Sequence, residues 1–179
     1  MTGQCYAGLF YECSSLTTAP SLPATTLTER CYERMFYECS SLTTAPSLPA
    51  TTLTERCYES MFDGCENLTT APSLPATILA KDCYESMFDG CKNLITIPSL
   101  PATILPDSCY NGMFYGCSKI KLSSTRTGTY TKAYRIPYSG TGTVGSFSLD
   151  YMFKSTGGTF AGSPTINTTY YLDSSNTIV

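Results

Sequence analysis

The sequence contains no histidine and no tryptophan, and only 14% of its 179 residues are charged. Histidine is the usual general base of enzymes and a very common metal ligand, so its absence argues against the most frequent catalytic and metal-binding chemistries. The acidic side chains recur at a fixed interval along the chain, which is typical of surface charges and not of a catalytic cluster. We therefore predict that the protein is not an enzyme and uses no cofactor.

Long apolar runs and basic runs are missing as well. No stretch approaches the roughly 20 apolar residues that a membrane-spanning helix needs. The first ten residues, MTGQCYAGLF, lack the basic flank and apolar core of a signal peptide, so we expect no signal peptide here. The net charge is −3, and the lysines and arginines are scattered. Without a basic stripe to attract a phosphate backbone, nucleic acid is not an expected partner.

The first two thirds of the chain consist of five near-identical copies of one 26-residue unit. The copy CYERMFYECSSLTTAPSLPATTLTER begins at Cys31, and the others begin at Cys5, Cys57, Cys83 and Cys109. A unit this short cannot bury an apolar face alone, so we expect the copies to stack as the coils of a solenoid. The apolar content of 42% is sufficient for a continuous core.

Within one unit, the residue pattern predicts a strand, a loop and a short helix. Residues 68–74 (LTTAPSL) carry threonines that suit a short strand. In residues 80–89, Met87 and Phe88 lie at helical spacing from the preceding cysteine, and Gly90 can end the helix in a left-handed conformation. The predicted fold class is α/β: a solenoid with a parallel β-sheet on one face and short helices on the other.

The last third of the chain departs from the repeat and predicts a terminal cap. Met152 and Phe153 match Met113 and Phe114 at an offset of 39 residues, with polar residues in the cysteine positions, which indicates a degenerate sixth copy. A terminal coil needs polar residues because one of its faces meets water. We therefore divide the chain into an N-terminal edge (1–4), five repeats (5–124) and a C-terminal cap that contains the degenerate repeat (125–179).

Ten cysteines form two columns along the repeats, and we expect them to be structural. A zinc site needs close pairs such as C-x-x-C, and none exists here, so no metal site is predicted. Two alternatives remain: a disulfide within each repeat, since two cysteines bracket each predicted helix, or free thiols that act as small buried apolar groups. The columns are Cys5, Cys31, Cys57, Cys83 and Cys109, and Cys13, Cys39, Cys65, Cys91 and Cys117.

The positions that differ between otherwise identical copies are the candidate binding residues. They fall at the end of each predicted helix and just after the second cysteine, and we expect them to point outward. The alternative is an ordinary solvated surface. The candidate binding rim consists of Tyr11, Tyr37, Asp63, Glu66, Asp89, Lys92 and Tyr115.

The repeat also carries a family resemblance. The run M-F-x-G-C-x-x-L-x-x-x-P-x-L-P, found in residues 61–75 and 87–101, resembles the leucine-rich repeats of bacterial surface proteins of the BspA-like subfamily. The C-terminal runs AYRIP (133–137), GGTF (157–160) and PTINTTYY (164–171) are similar to the segment that closes such arrays. The resemblance implies a right-handed leucine-rich-repeat-like solenoid, a role in adhesion or recognition at a bacterial cell surface or phage virion, and no catalytic residues.

Two functions of different classes are compatible with these features. The first is a recognition module that binds a host protein or glycan through a repeated face of the solenoid. The second is a structural spacer, or a unit that assembles end to end into a dimer or filament. The second interpretation draws on the first coil, where only four residues precede Cys5 and an exposed edge is expected to recruit another chain.

Overall fold

Successive 26-residue copies stack in register in the structure, a computed structural model that describes residues 5–179. The clearest marker is a row of phenylalanine rings, one per coil, whose centroids are 5.5–5.6 Å apart and whose planes differ by at most 7°. The row consists of Phe10, Phe36, Phe62, Phe88, Phe114 and Phe153. Each coil therefore lies directly over the equivalent residues of the next.

Parallel pairing between coils is limited to short strands and single bridges. Thr18 pairs with Thr44, and Thr44 with Thr70, each through one isolated bridge. A proline follows two residues after each of these threonines and removes a ladder donor, which keeps the pairing short. The strands are β1 (Thr96–Ile97), β2 (Ile104–Leu105), β3 (Lys121–Ser123), β4 (Tyr130–Arg135), β5 (Thr143–Val144), β6 (Gly157–Gly158), β7 (Thr169–Asp173) and β8 (Thr177–Ile178).

The predicted α/β class is wrong, because residues 5–179 contain no helix and no continuous parallel sheet on one face. Where short helices were expected, each coil carries a turn segment: residues 5–13, 31–39, 57–65, 83–91 and 109–117. Within a turn segment, alternate amides donate to the carbonyl three residues back, as Met35 does to Tyr32 at 3.2 Å. The amides between them donate to the next coil, as Phe36 does to Met61 at 3.0 Å.

The spacing between coils explains why the helix does not form. An α-helix with its side chains is about 10–12 Å wide, whereas the stacked rings of the phenylalanine column and of the tyrosine column that begins at Tyr6 repeat every 5.5–5.9 Å. This interval is close to the roughly 4.8 Å between paired strands. Consecutive helices cannot fit at such a spacing without splaying the coils apart. In the turn segment, the neighbouring coil supplies the acceptors that a helix would find within itself, so the backbone polar groups remain satisfied.

Each turn segment needs a left-handed residue at every fourth position. In the third coil these residues are Arg56, Ser60 and Gly64, with φ of 58°, 49° and 74°. The position of Gly64 is also glycine in the later coils, but it is Glu12 in the first coil and Glu38 in the second. Both glutamates adopt the same left-handed conformation, with φ of 56° and 54°. The geometry of the column is therefore constant, and the glutamates carry the conformational cost.

The core lies between the turn segments and the strand side. It contains the cysteine, tyrosine, methionine and phenylalanine columns of coils two to five together with leucines such as Leu42, Leu68 and Leu94. The second cysteine of each of coils two to five donates its thiol to a phenylalanine carbonyl of the preceding coil, as Cys65 does to Phe36 at 3.1 Å. Buried thiols thus act both as small apolar groups and as weak donors between coils.

The C-terminal residues continue the stack and then close it. The amides of Tyr110 and Phe114 donate to Ser148 and Met152 across the 39-residue offset, at 3.0 and 2.9 Å. Strands β4, β7, β3 and β6 form one sheet in that order; β6 pairs parallel with β3, and β7 pairs antiparallel with both β3 and β4. Finally, β8 pairs parallel with β1 of the fourth coil, and β5 pairs parallel with β2.

The two ends of the stack differ in polarity. All amide bonds between turn segments run from the N–H of one coil to the carbonyl of the next. The described part of the first coil therefore presents carbonyl oxygens without partners, those of Cys5, Ala7, Leu9 and Tyr11. At the other end, the outward amides of Tyr151 and Phe153 are capped by Ser163 Oγ at 2.8 Å and by the carbonyl of Gly162 at 3.0 Å.

Candidate recognition surface

The candidate rim residues lie in two adjacent rows on the turn-segment side. The first row runs along the solenoid as Tyr11, Tyr37, Asp63, Asp89 and Tyr115, with Lys154 in the equivalent place of the last coil. Every tyrosine and aspartate of this row lies two residues before the second cysteine of its coil. The carbonyl of Asp63, for example, accepts the amide of Glu38 at 2.7 Å, so the backbone on both sides of the row is fixed.

Aromatic side chains occupy the two ends of the first row. Tyr11 and Tyr37 stack with centroids 4.8 Å apart and planes within 7°, and Tyr11 is exposed. At the opposite end, the Lys154 ammonium lies 5.8 Å from the centroid of Tyr115 and 5.0 Å from that of Tyr151, which is cation–π distance. Both ends thus present flat aromatic surface to solvent.

Carboxylates occupy the middle of the first row. The pKa of Asp63 is raised to about 7, chiefly by burial and then by the neighbouring charges of Asp89 and Glu38, while Arg34 acts to lower it. Burial also raises the pKa of Asp89 to about 6. The charge of Asp63 in turn raises the pKa of Tyr37. The structure therefore brings these residues of the row into electrostatic contact.

The second row contains Ser14, Ser40, Glu66, Lys92 and Ser118. Lys92 Nζ lies 2.6 Å from Glu66 Oε1, and both side chains are more than half exposed, so this pair neutralises itself and contributes little to stability. Between the rows, an open groove of about 470 Å³ is lined by Glu12, Ser14, Glu38, Ser40, Gly64 and Glu66. The predicted rim residues are thus neighbours, with an acidic groove beside them.

A ladder of ion pairs near the start of the turn segments was not predicted from the sequence. Arg30 binds Glu33 through two side-chain bonds of 2.5 and 3.0 Å, and Arg56 binds Glu59 at 2.5 and 2.9 Å. Both glutamates are buried. The repeated Arg-x-x-Glu spacing was the available signal. In the fourth coil the arginine position is Asp82, and burial together with the Asp82 charge raises the pKa of Glu85.

The N-terminal face of the first coil forms an apolar hollow, which we call the terminal hollow. It has a volume of about 520 Å³, and its lining includes Cys5, Tyr6, Leu9, Leu22 and Cys31. Tyr6 is 47% and Leu9 56% exposed, whereas the tyrosines of the same column in later coils are buried. Among the described residues, nothing occupies the place that a preceding coil would take.

Comparison with known proteins identifies the repeat. The family model for the BspA type leucine-rich repeat region (6 copies) matches residues 4–121 and 29–167. The chain belongs to this BspA-type leucine-rich repeat family. No curated protein and no solved structure gave a match. BspA-type repeats are typically surface-associated in bacteria, are often involved in protein interactions and are typically non-enzymatic.

The cysteines of this BspA-type solenoid are all free thiols. Eight are buried, and burial raises the pKa of Cys57 to about 12. Cys5 and Cys13 of the first coil are exposed. Within residues 5–179, no group of three or more histidine, cysteine or acidic side chains is arranged to hold a metal ion. The same part of the BspA-type chain has no helix long and apolar enough for a membrane span.

Proposed function

We propose that this protein is a non-enzymatic recognition module of a bacterial cell surface or phage virion, which binds a host protein or glycan through the two rim rows. The observation that carries the proposal is the distribution of differences between coils. Coils two and three are identical over residues 43–51 and 69–77 on the strand side, but differ at partly or fully exposed rim positions, where Tyr37 is replaced by Asp63 and Ser40 by Glu66, and also at the end of the unit, residues 52–56 against 78–82. Stacking constrains the buried columns, so the exposed variable positions are free to serve binding.

The rim offers three kinds of contact in a fixed order. Stacked aromatic rings at Tyr11 and Tyr37 suit the face of a sugar ring or an aromatic side chain. The half-buried carboxylates of Asp63 and Asp89 accept hydrogen bonds from hydroxyl or amide groups. Tyr115 and Lys154 add a second aromatic contact next to a cation. Tyrosines held rigid by stacking lose little conformational entropy on binding.

The test is a binding screen of the full chain against glycans and host surface proteins, followed by paired variants. Tyr37→Ala combined with Asp63→Ala is expected to weaken any detected binding at least about tenfold, the usual loss at a binding hot spot. The matched control is Ser47→Ala with Ser73→Ala, since these serines are exposed on the strand side of the same two coils. Binding that survives the rim variant and is lost in the control would place the site on the other face.

A second candidate function, end-to-end assembly, is favoured by the terminal hollow. Its exposed Leu9 and Tyr6 give a second chain an apolar surface. Two first coils facing each other would oppose carbonyl to carbonyl, so such a dimer would rest on apolar contact and not on backbone bonds. Sedimentation over a concentration series tests this function. A dimer that Leu9→Glu dissociates would support assembly, and a monomer at all concentrations would contradict it.

A further inference from the structure

Cys5 and Cys31 are the one pair of cysteines in the described residues whose thiols hydrogen-bond to each other, with 3.1 Å between the sulfur atoms. They occupy equivalent positions in the first and second coils. The adjacent amide of Tyr6 donates to the carbonyl of Cys31 at 2.9 Å, which holds the two backbones side by side. The rings of the adjacent Tyr6 and Tyr32 stack with centroids 5.6 Å apart, and a coil spacing of this size falls within the Cα separation of about 4.4–6.8 Å that a disulfide requires.

We propose that Cys5 and Cys31 are a site of reversible oxidation, at which a disulfide joins the first coil to the second. Access distinguishes this pair from the rest of its column. Cys5 is exposed and both residues line the terminal hollow, whereas Cys57, Cys83 and Cys109 are fully buried. A small oxidant can therefore reach the first pair and not the others.

The second cysteine column does not offer an equivalent pair. Cys13 is exposed like Cys5, but the thiol of Cys39 donates to the carbonyl of Phe10 at 3.0 Å and not to another sulfur. Cys13 is therefore a matched exposed thiol without a partner thiol within hydrogen-bond distance among residues 5–179. This difference makes Cys13 an internal control for the proposed site.

The chemistry is thiol–disulfide exchange with a low-molecular-weight disulfide such as oxidised glutathione. The Cys5 thiolate attacks one sulfur of the oxidant, forms a mixed disulfide and releases one glutathione thiolate. Cys31 then loses its proton and attacks the Cys5 sulfur, which releases the second thiolate. Two electrons pass from the cysteine pair to the oxidant, two protons are lost from the protein thiols, and one intramolecular S–S bond forms.

The protonation chemistry of the pair agrees with these roles. Hydrogen bonds from Cys31 and Thr28 lower the pKa of Cys5, which favours its thiolate as the attacking group. Burial, and then the bond that it donates to Cys5, raise the pKa of Cys31. The second step is therefore expected to be the slower one and to accelerate as the pH rises.

Oxidation would fix the end of the solenoid that is least supported. Among the described residues, the first coil has a neighbouring coil on one side only. The amides of Tyr6, Gly8 and Phe10 hold it there by donating hydrogen bonds to the second coil. A covalent link across this interface restricts the opened state of the first coil, so local opening becomes rarer. The terminal hollow would then be held in the shape described above.

The experiment equilibrates the reduced full chain with oxidised glutathione, traps free thiols with iodoacetamide under denaturing conditions and maps the peptides by mass spectrometry. We expect loss of two hydrogen atoms and a peptide pair linked through Cys5 and Cys31. Cys13→Ser should form the same link, whereas Cys5→Ser should form none. Cys31→Ser should stop at a glutathione adduct on Cys5. Full alkylation of both cysteines after equilibration, or a link from Cys5 to Cys13, would overturn the proposal.

Hydrogen exchange provides an independent readout that does not depend on the Cys31 variant folding. Exchange at the amides of Tyr6, Gly8 and Phe10 is expected to slow about tenfold or more on oxidation of the native sequence, and to recover on reduction. Cys5→Ser, whose exposed position is not part of the packed core, should show no change with the oxidant. Equal exchange rates in the oxidised and reduced native chain would contradict the proposed link between coils.

Discussion

At the scale of single residues, Asp63 couples the rim to pH. Its pKa in the folded chain is about 7, against an ordinary value of 3.8, chiefly because it is partly buried. A carboxyl with a raised folded pKa holds its proton more tightly in the folded than in the unfolded state. The folded state therefore loses stability as the pH rises from 3.8 to about 7, and the loss is complete above that range.

The variant Asp63→Asn tests this coupling, because it keeps the shape of the side chain and removes the charge. At pH 8 we expect the variant to be more stable by about 1 kcal/mol, a value discounted for solvent screening at a half-exposed site. At pH 4.5 the difference should largely disappear. Urea unfolding at both pH values measures the difference, with Glu55→Gln as the control, since Glu55 is an exposed acid of the preceding coil. A variant that is less stable at pH 8 would show that the carboxylate is stabilising instead.

Glu38 provides a second prediction at the residue scale. It has a φ of 54° in a column where the equivalent Gly64 has 74°, and a side chain in this region costs about 1 kcal/mol. Glu38→Gly should therefore stabilise the protein by about 0.5–1 kcal/mol. The control is Glu55→Gly, whose native φ is not positive and which should lose stability because glycine has a more flexible unfolded chain. Equal losses for both variants in denaturant unfolding would argue against strain at Glu38.

The sequence predicted single-residue environments better than it predicted backbone conformation. The buried positions of the columns, such as Phe62 and Cys65, could be predicted from the sequence. A residue repeated at a fixed interval packs next to the equivalent residue of the next coil when the coils stack. The left-handed conformation of Arg56 and Ser60 carried no such signal, since glycine and asparagine are the residues that usually mark it. Gly64 alone indicated one of the three positions.

At the scale of elements, the turn segment explains why a helix was predicted and is not present. Cys57, Met61 and Cys65 are four residues apart, which places them on one face of a helix, but the turn segment also repeats every fourth residue and buries the same side. The two conformations share one hydrophobic pattern. What separates them is whether the neighbouring coil lies close enough to accept the amides, and a single-unit pattern does not contain that distance.

A prediction at the element scale concerns the entry to the turn segment. Thr54, whose carbonyl accepts the amide of Cys57 at the start of the next turn segment, corresponds to Pro106 two coils later. The Thr54 amide donates no hydrogen bond to any described residue, so Thr54→Pro should stabilise the protein by about 0.5–1 kcal/mol by restricting the unfolded chain. Thr77→Pro is the control, because the Thr77 amide donates to the Thr51 carbonyl at 3.0 Å and its loss should destabilise. Thermal unfolding distinguishes the two variants. If both were destabilised, the backbone at Thr54 would not have the φ that proline requires.

At the scale of the whole molecule, the stack is asymmetric because its C-terminal end is closed by its own chain. Strand β8 returns to the fourth coil, and Asn176 beside it contacts Ile95, which lies 81 residues earlier. Contacts at this separation leave no periodic trace, so the sequence predicted a cap without predicting where its last strand would lie. The directional amide ladder adds to the asymmetry, since one end of the array accepts hydrogen bonds and the other donates them.

Asn176 is the residue on which closure depends most directly. It is fully buried; its Oδ1 accepts the amide of Lys121 at 3.0 Å, and its Nδ2 donates to the carbonyls of Ile95 and Lys119, each at 3.0 Å. Asn176→Asp keeps the acceptor but removes both donors and sets a carboxylate beside two carbonyl oxygens. We expect a loss of about 2–4 kcal/mol, because buried groups are left unpaired.

The measurement for this closure is denaturant unfolding combined with hydrogen exchange at the amides of Thr177 and Val179, which donate to Ile95 and Ile97 at 3.2 and 3.0 Å. Ser174→Ala, at an exposed neighbour whose hydroxyl makes no hydrogen bond to any described residue, should leave both amides protected. If Asn176→Asp exposed these two amides while global stability fell by less than about 0.5 kcal/mol, β8 would be a peripheral strand. Because the side chain of Asn176 joins the fourth and fifth coils, we expect loss of protection to extend instead to the amide of Lys121 and to lower the stability of the whole stack.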